Sequence, residues 1–293
     1  MRPAVLLLAA AGLTGCVDEL DQQVSRIDRP RVLAVIPTPA EAAPREAVTY
    51  AAVVAAPDGP VATPAIAWAY CTAPKPPTED NVVPPGCVDD PAALVSLGDA
   101  PAMAASATLP AEACATYGPD TPPGGFRPRD PDPSGGYYQP VRAGLDGAPL
   151  AFGLHRLACN LGDAPPAIVR EYRERYVRNQ HPVLTSLGVA RAGAPADPAA
   201  IAAGEALTLV ATWPADATEP YVVYDRARAV LEDRVEVLRV GWFVTGGALA
   251  ADATGGGEVA WTAPSTPGRV HAWAVLHDDR GGIAAASLAI DVH

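Results

Sequence analysis

Two groups of carboxylates in the sequence have a spacing that could bind a metal ion. In the first group, Asp130, Asp132 and Ser134 place oxygens at alternate positions ahead of Gly135, as at the start of a calcium-binding loop. Such a loop has glutamate at its twelfth position, which is Val141 here, and the intervening prolines restrict the ligand turn. We expect a solvated turn, with calcium as the alternative.

The second group is the adjacent pair Asp278 and Asp279. Paired carboxylates can bind calcium at the edge of a domain, but the sequence places no second carboxylate cluster beside them. Aspartate and glycine side by side are typical of turns. We therefore expect a plain hairpin turn here and no metal site.

The sequence lacks the residue patterns of known catalytic sites. It has no HExxH, no zinc-spaced histidine pair, no Gly-x-Ser-x-Gly elbow, no phosphate loop and no GxGxxG. The histidines are His155, His181, His271, His277 and His293. We expect a protein that is not an enzyme and that needs no cofactor.

Exposed aromatic rings are the remaining candidates for ligand binding. Trp68, Trp242 and Trp273 fit core positions on their strands. Four other aromatic residues are left as candidates for an exposed, glycan-stacking surface: Trp213, Trp261, Tyr137 and Tyr138. The adjacent pair Tyr137 and Tyr138 is the predicted ligand-binding site, if the protein binds a glycan or small ligand.

The N-terminus has the features of an export signal. Arg2 precedes an apolar run, residues 4–11, that is too short to cross a bilayer. The following Leu13-Thr14-Gly15-Cys16 resembles the bacterial lipobox. This resemblance implies cleavage before Cys16, acylation of its thiol, and a membrane-anchored ectodomain in the cell envelope; an ordinary signal peptide is the alternative. Neither the inner nor the outer membrane is favoured.

The four remaining cysteines predict disulfides. Cys71, Cys87, Cys114 and Cys159 are an even number, and an exported chain meets an oxidising compartment. Three connectivities are open. We favour Cys71–Cys87 with Cys114–Cys159, because the first pair brackets a proline-rich stretch that a bridge would pin.

Composition favours short strands and argues against nucleic-acid binding. The 293 residues include 33 Pro and 26 Gly, and the formal net charge is −12. Proline interrupts helices, and an acidic surface repels phosphate backbones. The expected partners are the membrane, through the lipid, and either another envelope protein or a glycan. The arginine-rich run 170–178 is interpreted as a solvated strand face. Within residues 167–178, Ile168, Tyr172 and Tyr176 suit a helix face, whereas Tyr172, Glu174 and Tyr176 suit a strand; we favour a strand that leads into a second domain.

The apolar segments predict an all-β chain with two β-sandwich domains in tandem. Residues 1–15 are the signal peptide and 16–29 a lipidated tether; the domains are 30–180, with a proline-rich insertion at 72–139, and 181–293. Both domains show the same order of three predicted strands: the first begins near a proline, the second begins near a glutamate, and the third contains a tryptophan.

The second domain also resembles bacterial immunoglobulin-like domains of the PKD/cadherin-like kind. The resemblance rests on Trp242 to Gly247, on Trp261 to Pro264, and on His271 to Gly282 with its Asp-x-Gly-Gly turn. It implies a central-strand tryptophan between two sheets and a hairpin of the last two strands. Domains of this kind have many functions, so the resemblance implies no particular one.

Overall fold

The computed structural model describes residues 24–74, 83–118, 136–162 and 164–293. Within these ranges the chain is mainly β, and its strands form two β-sandwiches, as predicted; the named strands pair antiparallel except that the short β2 (Glu41–Ala42) pairs in parallel. None of the described helices is long and apolar enough to cross a membrane. The predicted lipidation site Cys16 and the calcium candidates Asp130 and Asp132 lie outside the described residues.

The first sandwich has two sheets, one of four strands and one of five strands. The first contains β1 (Arg31–Thr38), β3 (Ala47–Ala56), β4 (Gly59–Pro60) and β7 (Ala104–Thr108). The second runs in the order β2 (Glu41–Ala42), β9 (Ala151–Leu157), β8 (Tyr137–Leu145), β5 (Ile66–Cys71), β6 (Leu94–Ser96). Alternate residues of β5, namely Ile66, Trp68 and Tyr70, face the core as predicted, because side chains alternate along a strand.

The stretch 72–139 is not simply an insertion. Its residues include β6, which pairs with β5, and β7, which pairs with β3, so it contributes a strand to each sheet. Helix α1 (Gly86–Asp89) and a 3₁₀ turn at Pro91–Ala93 precede β6, and helix α2 (Ala113–Thr116) follows β7. The prediction missed β7 because its sequence, Ala-Ala-Ser-Ala-Thr, has little hydrophobic alternation.

The second sandwich has a five-stranded and a four-stranded sheet. The five-stranded order is β11 (Ala194–Ala196), β10 (Ser186–Arg191), β12 (Ala206–Thr212), β18 (Glu258–Thr262), β16 (Ala248–Leu249). The four-stranded order is β17 (Ala253–Thr254), β15 (Arg239–Val244), β19 (Gly268–His277), β20 (Ile283–Val292). A separate hairpin pairs β13 (Pro220–Asp225) with β14 (Val230–Val235).

Two tryptophans fill the core of this sandwich. Trp242 is fully buried between the sheets, as predicted. Trp261 is also buried, and its indole N–H donates to the Gly246 carbonyl, so its assignment to an exposed surface was wrong. Trp213 is only partly buried and packs at the edge of the same core.

The segment joining the sandwiches is a helix, not the predicted strand. Helix α3 (Pro166–Arg175) begins at a proline, which fits the first turn of a helix. Glu171 and Arg175 pair across one turn, and the rings of Tyr172 and Tyr176 stack at the same i, i+4 spacing. The spacing of Ile168, Tyr172 and Tyr176 suits a helix and that of Tyr172, Glu174 and Tyr176 suits a strand; the structure has the helix.

Both disulfides are the pairs favoured from the sequence. Cys71 is bonded to Cys87 across 16 residues, and Cys114 to Cys159 across 45 residues. Each closes a loop within the first sandwich and therefore restricts its unfolded chain.

We expect the longer loop to give the larger stabilisation. If chain entropy governs, the Cys114→Ala/Cys159→Ala variant should lose about 4 kcal/mol of unfolding free energy. The Cys71→Ala/Cys87→Ala variant should lose about 3 kcal/mol. Urea unfolding of the two variants and the wild type checks this. A larger loss from the shorter loop would mean that packing, not chain entropy, governs the difference.

Candidate functional site: the junction of the two sandwiches

Buried polar groups of both sandwiches meet at the junction between them. An apolar contact also joins the two sandwiches. Strand β19 is buried on both faces. Ala272, Ala274 and Leu276 point into the core of the second sandwich, whereas Trp273, on the opposite face, packs against Ile27 and Ala55. Trp273 is thus buried as predicted, but between the domains and not inside one. The sandwiches therefore pack side by side.

The N-terminal segment takes part in this junction. The amide of Ile27 donates to the Val244 carbonyl and the amide of Val244 to the Ser25 carbonyl, both at 2.9 Å. Ser25 and Ile27 are buried. The expected free tether up to residue 29 is therefore wrong for Ser25 to Ile27, because their backbone groups extend the β15 edge. Ser25 and Ile27 belong spatially to the second sandwich.

A buried carboxylate of the first sandwich forms one half of an ionic cluster. Glu41 on β2 and Arg156 on β9 are each 1% exposed, and the Arg156 Nε lies 3.3 Å from a Glu41 oxygen. The Tyr176 hydroxyl, just after α3, donates to Glu41 at 2.6 Å, and the Asn179 amide donates to it at 2.9 Å. The linker is therefore tied to the first sandwich through Glu41.

Arg280 of the second sandwich forms the other half. Its side chain is fully buried; one terminal nitrogen lies 3.2 Å from Glu236, and the other lies 3.6 Å from Glu41. The second nitrogen also donates to the Val177 carbonyl at 2.7 Å. Its guanidinium lies 5.0 Å from the ring centre of Tyr221. One arginine thus joins the first sandwich, the linker and the hairpin.

The turn that presents Arg280 is the Asp-x-Gly-Gly turn predicted between the last two strands. Asp278 Oδ1 accepts the amides of Arg280 and Gly282 at 2.9 and 2.7 Å. Gly282 has no room for a side chain, because a Cβ there would lie 2.0 Å from Asp278 Oδ2. Gly281 lies against the ring of Tyr138, which places the turn on the first sandwich.

The second calcium candidate, Asp278 with Asp279, accepts hydrogen bonds from other groups of the protein. Asp278 is buried and holds the turn amides, and the side-chain amide of Asn179 also donates to it. Asp279 accepts the Tyr221 hydroxyl at 3.1 Å. Across the described ranges, no three His, Cys, Asp or Glu residues form a group that could hold a metal ion.

The predicted aromatic pair belongs to the first sandwich and its junction. Both tyrosines are half-buried, and Tyr137 packs against the core of the first sandwich. The Tyr138 hydroxyl accepts from Arg156 at 3.3 Å, and the Arg156 guanidinium lies 6.0 Å from the ring centre. Their observed contacts are therefore internal to the protein.

His181 adds a hydrogen-bonded bridge between the sandwiches. Its Nδ1 accepts the amide of Ile283 at 3.0 Å, so the ring hydrogen is on Nε2 and is donated to the Pro37 carbonyl. Arg178, in the same linker, forms a bidentate ion pair with Glu46 of the first sandwich at 2.8 and 2.9 Å. Donation from Arg178 lowers the pKa of the Glu46 carboxyl.

Burial gives one carboxyl of the cluster an unusual proton affinity. Desolvation raises the pKa of Glu236 to about 7, although Arg280 and the Glu219 amide oppose this. The charged and titratable groups around it are Arg280 and Asp278 from the last turn and Glu219 from the segment before β13. A raised carboxyl pKa means that the folded protein binds a proton that the unfolded chain releases.

We expect Glu236 to lower stability as the pH rises from about 4.5 to about 7. The histidines act in the opposite direction, because burial lowers the pKa of His155 to about 4 and also lowers that of His271 and His277. The measurement is therefore the difference in unfolding free energy between Glu236→Gln and the wild type. The variant should gain relative stability as the pH rises through this range; a flat difference would contradict the shift.

The geometry of the cluster suits positioning and not reaction. Its carboxylates, guanidinium groups and tyrosine hydroxyls are buried and bonded to one another, so they fix the domains relative to each other. The sequence prediction missed Glu41, Arg156, Tyr176, Glu236 and Arg280 as a site. Nothing in the local pattern marks them, because they come from five separate segments of the chain.

Comparisons with known proteins identify no family. No protein-family model matches the chain, and no curated protein matches it. Escherichia coli alpha-2-macroglobulin activated by porcine elastase is 15% identical, with a TM-score of 0.23 over 92% of this chain and 22% of that chain. The Yersinia pseudotuberculosis adhesin InvE is 12% identical, with a TM-score of 0.20 over 88% of this chain and 58% of that chain. This chain therefore spans only part of each, and at these TM-scores neither likeness carries an argument.

Proposed function

We propose that this protein is a bacterial envelope lipoprotein, acylated on Cys16, whose two sandwiches act as one rigid, non-catalytic binding module for another envelope protein. The lipobox-like Leu13-Thr14-Gly15-Cys16 supports the anchor. The two disulfides fit an oxidising compartment such as the periplasm or cell surface.

The observation that carries the proposal is the buried ionic junction. Arg280 contacts Glu41 of the first sandwich and Glu236 of the second, with all three side chains at most 1% exposed. Such a junction holds surfaces of both sandwiches in a fixed relation. A partner that touches both then loses little affinity to ordering them, because the ordering is complete before binding.

In-cell cross-linking of the full-length protein, followed by purification and mass spectrometry, tests this function. We expect acylated Cys16 and one envelope protein recovered in stoichiometric amount, and we expect Cys16→Ala to lose both. The control for folding is the presence of both disulfides in each sample. An unmodified Cys16, or a substrate turned over by the purified protein with loss on a single ectodomain substitution, would overturn the proposal.

A further inference from the structure

The described chain begins at one edge of the second sandwich, where two contacts hold Ser25 and Arg26, and a third contact ties Val24 to Arg31 of β1. Arg31 donates to the Val24 carbonyl at 2.7 Å, and Arg26 donates to the Gly247 carbonyl at 3.3 Å. The Ser25 hydroxyl donates to Asp252. Val24, where the described residues begin, therefore lies beside residues 247–252, and we call this place the exit.

This exit lies close to the proposed lipid. The inference rests on the proposed acylation of Cys16, which leaves only residues 17–23 between the lipidated residue and Val24. An extended chain covers at most about 3.6 Å per residue, so the exit lies within roughly 30 Å of the anchored residue. The second sandwich cannot move far from the bilayer.

The surface around the exit has the chemistry of a lipid-facing surface. Arg26, Arg29 and Arg31 lie within six residues of a chain whose net charge is −12, with Asp28 as the carboxylate among them. The Arg29 side chain is 64% exposed, and its contact with Asp28 is long, at 3.9 Å. The neighbouring segment, residues 247–251, which includes β16, is Gly-Ala-Leu-Ala-Ala and carries no charge; the residue after it, Asp252, is the carboxylate that accepts the Ser25 hydroxyl.

We infer that this exit surface, formed by Val24, Arg26, Arg29 and residues 247–251, lies on the membrane that holds the lipid anchor and binds anionic phospholipid headgroups. An arginine within a Debye length of an anionic bilayer is attracted to its surface. The uncharged residues 247–251 can approach the headgroups without desolvating a charge of their own. The opposite edge of the second sandwich then faces away from the bilayer.

Fluorescence quenching by headgroup-labelled lipids tests the orientation. The acylated full-length protein carries a fluorophore on either Ala250→Cys or Ala194→Cys; both alanines are exposed. The matched control Ala194 is on β11, at the opposite edge of the five-stranded sheet from β16, which contains Ala248. Four strand spacings separate these edges by about 19 Å.

In phosphatidylcholine vesicles containing phosphatidylglycerol, we expect quenching several-fold stronger at position 250 than at position 194. Arg29→Glu, or vesicles of phosphatidylcholine alone, should reduce that difference. Equal quenching at the two positions with an acylated Cys16 would overturn this inference and leave the proposed function standing. An N-terminal peptide without the acyl mass would overturn both.

Discussion

Replacing Arg280 with methionine is expected to lower the free energy of unfolding by about 3–5 kcal/mol, the usual cost of removing one partner from a buried ion pair. The volume of the side chain is nearly kept. The charge that neutralises Glu41 from one side and Glu236 from the other is lost, although Arg156 remains beside Glu41. Urea unfolding followed by tryptophan fluorescence measures the change.

A matched arginine of the same hairpin provides the control. Arg269 pairs with Asp291 at 2.8 Å, but its side chain is 62% exposed, so water and salt screen the pair. Arg269→Met should therefore change stability far less than Arg280→Met. Similar losses for the two variants would show that burial of the Arg280 cluster does not govern its contribution.

Replacing Trp273 with alanine is expected to cost about 3–5 kcal/mol, as for other large-to-small changes at buried aromatic positions. Its ring fills the space between β19, Ile27 and Ala55, so the cavity opens between the sandwiches. We also expect the wild type to unfold in one transition and the variant in two, because the domains of the variant lose part of their coupling. Calorimetry measures both the midpoint and the number of transitions.

Trp213 is the control for this change, because it is partly exposed at the edge of the second sandwich's core and is not among the described residues that pack around Trp273. Trp213→Ala should lower stability by less and leave the number of transitions unchanged. Two transitions in both variants, or in neither, would contradict the assignment of Trp273 to domain coupling.

The sequence predicts local strands well where the hydrophobic alternation is strong. The Ile66, Trp68 and Tyr70 face of β5 and the last hairpin with its Asp-x-Gly-Gly turn are both present. These features depend on neighbouring residues alone: side-chain alternation in a strand and glycine in a turn. The all-β architecture follows from them, together with the frequency of proline.

The junction could not be predicted in the same way. Trp273 looks the same in sequence whether its face is covered by its own domain or by the neighbouring one. Tyr172 and Tyr176 fit either a helix or a strand until Glu171 and Arg175 are seen to pair. Arg280 sits in a turn, where arginine is normally solvated, and its burial depends on Glu41, which is far away in the sequence.

The pairing of Ser25 to Ile27 with Val244 has a consequence for the order in which the chain becomes fixed. The first described residues to emerge in synthesis pair with residues that emerge near the end. Until Val244 has been synthesised, Ile27 has no strand to pair with. Trp273 on β19 is synthesised later still, and only then can it pack against Ile27 and Ala55. Ser25 to Ile27 are thus among the last described residues to acquire their native contacts, and a truncation that removes Val244 also removes the strand with which they pair.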